Sequence, residues 1–269
     1  DGWFHAEEVR ADVAAKGEFG PPATAAEKAP PPEPQVATNL SGEETRDESI
    51  PASKAALDSA KPGIDGAAKH AAEAVDIERE TLNIDVSKIE EKITPKTKAI
   101  LVVHTMGKPC DMDAIQDIAQ RHNLKILEDC CEAHGAQYRE KYVGQFGEIA
   151  AFSFYVAHVL AGGDGGMCST NSVELEEVLR CLKDHGRKPG SLYFDHIRSG
   201  SNFRMNILPA AVMLGEIDNF WDVFNKRKEN LHYLLEKTKD LEEFVFFNKG
   251  EPYEVVSPHA FSVTLKDPT

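Results

Sequence analysis

Two continuous apolar runs with an amphipathic helix between them limit what this chain can fold into. "AILVVHT" (Ala99 to Thr105) has strand length and no polar alternation, as expected of a strand covered on both faces. "DMDAIQDIAQRHN" follows, with Met112, Ile115, Ile118 and Ala119 on one helical face and Asp111 placed to cap its start. "LKILED" then reads as a second short buried strand and "EIAAFSFY" as a third. "SVELEEVLRCLKDHG" sets Leu175, Val178, Leu179 and Leu182 on one stripe and stops at Gly186. Strand alternating with helix predicts parallel βαβ units with right-handed crossovers. Chemistry in such sheets sits beyond the carboxyl ends of the strands. Asp129 and His158 both fall at or just past such ends.

The rest of the chain divides around this core. Residues 1–74 form an atypical Pro/Ala/Glu-rich arm; between Gly20 and Glu73 the large apolar residues are only Val36, Leu40, Ile50, Leu57 and Ile64. Such a segment buries too little apolar surface to offset its ordering entropy, although "SKAALDSA" reads as a short helix within it. Residues 75–220 form the large α/β domain. Residues 221–269 complete a long helix and begin a small C-terminal layer, with "EFVFF" and "HAFSVTL" as strands. That layer is expected to be incomplete. Phe220, Phe224, Leu231 and Leu235 keep to a helical repeat and read as core.

Charge and cysteine usage narrow the function classes. A formal charge of −15, with no basic block, argues against nucleic acid or an anionic membrane as partner. No apolar run is long enough to span a bilayer, so a cytoplasmic address is the expectation. Five cysteines, two of them adjacent, suit reduced thiols better than a disulfide framework.

Two segments concentrate chemistry. In "ILEDCCEAHGA", Asp129 has three readings: a capping carboxylate, part of a metal site with Cys130, Cys131 and His134, or a grip on a cationic ring nitrogen of a cofactor. The metal reading is the weakest, because no second ligand pair stands at zinc spacing; none is expected. In "FSFYVAHVLAGGDGGM", Ser153 offers a hydroxyl at a strand end and the glycines permit a sharp turn. His158 there is either structural or a proton carrier near neutral pH.

Taken in order, "DIERETLNIDVSKIEEKITPKTKAILVVHTMG", "ILEDCCEAHGAQY", "VGQFGEIAAFSFY", "GGDGGM", "LKDHGR" and "SNFRMNILPAA" resemble the DegT-type sugar aminotransferases over residues 75 to 269. The resemblance implies a fold-type-I, pyridoxal-phosphate (PLP) transferase-like α/β large domain with a mainly parallel sheet, plus part of a small α+β domain. It implies that Asp129 pairs with the pyridine nitrogen and that Glu132, commonly Gln in the family, meets the ring hydroxyl. Ser153 would bind the cofactor phosphate, and Asn202 would reach it across a homodimer interface.

His158 stands where aminotransferases of this family carry the lysine that anchors the cofactor. No lysine occurs between Ala151 and Leu182. The sequence resembles in this the keto-sugar 3-dehydratase branch, which has "AH" at that point. The resemblance then implies pyridoxal 5'-phosphate or pyridoxamine 5'-phosphate as cofactor, and removal of the 3-hydroxyl of a nucleotide-linked 4-keto-6-deoxy sugar. His158 would be the acid–base group and glutamate the amino donor. "GRKPGSLYFDHI" lacks the cysteines of the iron–sulfur variant of this chemistry. The departures are Val156, where proline is usual, and the phosphate loop, for which the arm offers only "NLSG" (Asn39 to Gly42). The alternatives are an aminotransferase of the same family, or a non-catalytic relative acting in binding or assembly.

Overall fold

The computed structural model describes residues 73–191 and 195–266. Residues 1–72 of the arm, with "SKAALDSA" and "NLSG", lie outside them. The main sheet has the order β1 (Ala99–Val103), β2 (Lys125–Asp129), β5 (Ile149–Ser153), β6 (Gly166–Ser169). The β1–β2 and β2–β5 pairings are parallel, and β6 closes the edge antiparallel to β5.

The β1-to-β2 crossover is α1 (Met112–His122). Asp111 caps it by accepting the Ala114 amide, and Asn123 ends it in the left-handed conformation at φ 52°. Met112, Ile115, Ile118 and Ala119 face the sheet and pack with Ile100, Val102 and Ile126 in one core. This is the stripe expected from the sequence.

The other face of β1 departs from expectation. Ile100 and Val102 are buried, but Leu101 and Val103 are 60% and 42% exposed. A continuous apolar run predicts a strand covered twice; among the described residues only one layer packs on it. The register pairs Leu101 with Leu127, Val103 with Asp129 and Asp129 with Ala151. Paired residues of a parallel sheet point to the same side, so Asp129 and Ser153 share this open face at its carboxyl edge.

Smaller elements close around that edge. β3 (Gln137–Tyr138) and β4 (Lys141–Tyr142) form a hairpin whose turn residues Arg139 and Glu140 have positive φ, as a tight primed turn requires. β8 (Glu254–Val255) pairs with β3, and β7 (Val245–Phe247) with β9 (Val263–Leu265). Helix α2 (Val173–Lys183) is capped by Ser172, and α3 (Ile207–Lys237) by Asn206. The second of these runs unbroken through residue 220, bridging the proposed large and small domains. Among the described residues no helix is long and apolar enough to cross a membrane.

Candidate active site

Three strand ends supply the side chains. His104 follows β1, Asp129 ends β2 and Ser153 ends β5. His104 and Glu128 lie on the covered side and are wholly buried. Glu128 accepts the amides of Gly144 (2.6 Å), Phe146 (2.7 Å) and Gly147 (2.6 Å), and His104 Nε2 stands 3.2 Å away. Because His104 Nδ1 accepts the Cys110 amide, the neutral ring carries its hydrogen on Nε2 and donates it to Glu128. Burial alone would raise the Glu128 carboxyl, but the His104 bond and the Gly144 and Gly147 amides bring it below the ordinary range. Cys130 joins these two within 4.8 Å as a potential metal trio. Glu128 already has its acceptors filled, and burial followed by the nearby Glu128 charge keeps the Cys130 thiol protonated. The trio reads as structural.

On the open side, Asp129 Oδ1 accepts the Cys131 amide at 3.0 Å and so fixes the loop that carries Glu132. Burial, then hydrogen bonding to Asp129, pushes the Cys131 thiol up to about 12. Glu132 Oε2 accepts the Met106 amide at 2.6 Å, and Oε1 lies 3.7 Å from His259 Nε2. Met106 holds φ 55°, a strained value for a side chain of its size and one that places strain beside the site.

His158 sits in the connection from β5 to β6. Phe154 donates to Gly165 (3.0 Å), Gly162 donates to Phe154 (2.8 Å), and the His158 amide donates to Tyr155 (3.0 Å). Gly163 and Gly165 take φ +85° and +97°, and a Cβ on Gly166 would stand 2.6 Å from the Phe152 carbonyl oxygen. The glycine run is therefore required for this turn. Burial first, then the His259 charge, lowers the His158 imidazole below its usual range, while Glu132 and Asp129 act in the opposite direction. His134 lies beside it, ring centroids 6.1 Å apart, and burial pushes it down to about 4.

The structure thus brings Asp129, Glu132 and His158 together, with Ser153 at the adjoining strand end. Ser153 Oγ accepts the Tyr155 amide at 3.2 Å, which leaves its own hydrogen to donate. Asn202 stands apart and exposed, its backbone bridged to Asp184 and its side-chain oxygen accepting from Arg204 Nε at 3.1 Å. His259 was not singled out by sequence reasoning. It is distant along the chain and is brought in by the Ser257 and His259 amides docking on the Gly107 and Met106 carbonyls and by Arg227 Nη1 donating to the Pro258 and His259 carbonyls.

A strand-end Asp, a following Glu, a Ser at the next strand end and a glycine turn form one ordered set. A sequence profile of the DegT/DnrJ/EryC1/StrS aminotransferase family matches residues 67–268. The chain belongs to this family. Its fold is that of the PLP-dependent fold-type-I enzymes. An aminotransferase from Psychrobacter cryohalolentis superimposes with a TM-score of 0.66 at 30% identity, covering 76% of this chain and 56% of that one. The E. coli GDP-4-keto-6-deoxy-D-mannose-3-dehydratase, with bound hydrated PLP, gives 0.65 at 28% identity, covering 72% and 54%. Among curated family members, the GDP-perosamine synthase of Caulobacter vibrioides is 43% identical over 144 residues, 54% of this chain and 38% of that protein. The lipopolysaccharide biosynthesis protein RfbH of Salmonella typhimurium is 32% identical over 217 residues, 72% of this chain and 50% of that protein. The chain spans about half the length, or less, of these curated relatives.

Proposed function

We propose that this chain carries the cofactor site of a PLP-dependent enzyme that removes the 3-hydroxyl of a nucleotide-linked 4-keto-6-deoxy sugar. The observation that carries the reading is His158. It takes the position that the resemblance gives to an anchoring lysine, lies within electrostatic reach of Asp129 and Glu132, and has its imidazole lowered below the usual range by burial and then by the His259 charge. A neutral imidazole is a proton acceptor at physiological pH, and it cannot anchor a cofactor covalently in the way a lysine amine does.

The donor set fits pyridoxal or pyridoxamine 5'-phosphate. When bound, the cofactor supplies an electron sink for a developing carbanion. Asp129 would hold the proton of the pyridine nitrogen, Glu132 would meet the ring hydroxyl, and Ser153 would donate to the phosphate. His158 would take up and return the proton at its imidazole. Asn202 would serve a neighbouring subunit; the exposed Phe203, Ile207, Leu208 and Val212 around it fit a homodimer face. Glutamate is the proposed amino donor, in the cytoplasm.

Supplying the protein with pyridoxal phosphate, glutamate and a nucleotide 4-keto-6-deoxyhexose tests this. The expected products are a 3-deoxy sugar and 2-oxoglutarate, and the reading is lost if neither forms. Borohydride treatment separates the aminotransferase alternative, because only a lysine-bound cofactor is reduced to a permanent adduct. A non-catalytic binding or assembly role is favoured by one observation, the uncovered Leu101 and Val103 face. An absorbance titration that stays flat at high cofactor concentration would support it.

A further inference from the structure

Three imidazoles stand in a row at this site: His134, His158 and His259. Ring centroids are 6.1 Å apart for the first pair and 5.2 Å for the second. Glu132 closes the row, 3.7 Å from His259 Nε2. One turn fixes both members of that pair. Met106 donates its amide to Glu132 at 2.6 Å, while Met106 and Gly107 accept the amides of His259 (3.4 Å) and Ser257 (2.9 Å). Nδ1 of His158 and Nδ1 of His259 are buried and make no hydrogen bond to protein.

The charged groups around the row are few. His158 faces His259, His134, Glu132 and Asp129, with the Tyr155 ring 5.9 Å away. His259 faces Glu132 and His158, and Arg227 Nη1 donates to its carbonyl at 3.1 Å and to that of Pro258 at 3.2 Å. Two charged rings this close repel each other, and of the three, among the described residues, only His259 has a carboxylate within ion-pair reach.

We infer that His259 is a positioning residue for His158: paired with Glu132, it carries the row's proton and keeps His158 neutral and ready to accept another. The inference rests on reading His158 as the acid–base group, but the coupling belongs to the chain without cofactor. The direction of the His158 perturbation, set by burial and then by His259, agrees with this order.

Histidine Cε1–H signals of the full chain, followed by NMR across pH, provide the test; loss of a signal in His158→Gln assigns it. In His259→Gln the His158 midpoint should rise by about half a unit or more, the fully solvated Coulomb value for unit charges at this ring separation. His259→Lys, which restores a positive charge, should bring the midpoint back. His259→Asn repeats the deletion if the Gln variant loses the parent's amide spectrum. A His158 midpoint that does not move in the deletions, or a rise that lysine leaves in place, overturns the inference. Absence of a 3-deoxy product together with an intact shift would instead count against the dehydratase reading alone.

Discussion

Glu128→Ala is expected to be among the most destabilising single changes in the described residues. The side chain is fully buried and accepts three backbone amides at 2.6 to 2.7 Å, besides the His104 ring. Removing it leaves three part-buried N–H donors without their acceptor, each worth about 1–3 kcal/mol when water cannot replace it, so the loss is about 3 kcal/mol after relaxation. Against a total stability of about 5–15 kcal/mol this is a large share. Glu128→Gln should cost less, about 2 kcal/mol, because one oxygen still serves Phe146 and Gly147 while the new amide opposes the Gly144 and His104 donors. Urea unfolding followed by circular dichroism reads both. At about 1–3 kcal/mol per molar urea the alanine variant should unfold at least about 1 M earlier. The pH dependence supplies a second check. The folded Glu128 carboxyl lies below its unfolded value of 4.5, so its contribution is complete above that pH and is lost as pH falls through the lower folded value. Parent and Gln curves should therefore converge in acid. An alanine midpoint equal to the parent's, or a parallel offset of the Gln curve at all pH values, would refute the account.

Three other substitutions probe the site's supports. Gly107→Ala should cost about 3 kcal/mol or more in urea unfolding, because Gly107 has φ +79° and a Cβ there would stand 1.6 Å from the Ser257 carbonyl oxygen. Lys108→Met strands the buried Glu254 carboxylate and should cost about 3–5 kcal/mol, with the double change Lys108→Met, Glu254→Gln regaining most of it on the same assay. Ser153→Ala should weaken cofactor binding about tenfold in an absorbance titration while leaving the unfolding midpoint in place, since the proposed role of its hydroxyl is to donate to phosphate and its one bond here is to the exposed Tyr155 amide.

Much of this was legible along the chain, and the parts that were not share a cause. The strands themselves were read from "AILVVHT" and "LKILED", but His104 and Glu128 were not singled out; the structure sets His104 in line with Ile100 and Val102, and Glu128 in line with Ile126. Polar residues in an inward register must find partners, and these two find each other. Coverage of the second face of β1 was not legible, because an apolar run records what a strand tolerates and not what packs on it. His259 was not legible either: its place depends on backbone bonds to Met106, a contact no local pattern encodes. The adjacent carboxylates Glu128 and Asp129 show how far local physics does reach. The pleat sends one to the covered face, where amides and a histidine consume its acceptors. It sends the other to the open face at the strand end, beside Glu132 and His158. Had the strand slipped by one residue, the two would exchange environments, and the part-buried amides of Gly144, Phe146 and Gly147 would lose the acceptor that fixes them. The same bonds that stabilise the fold therefore also decide which carboxylate stands on the open face.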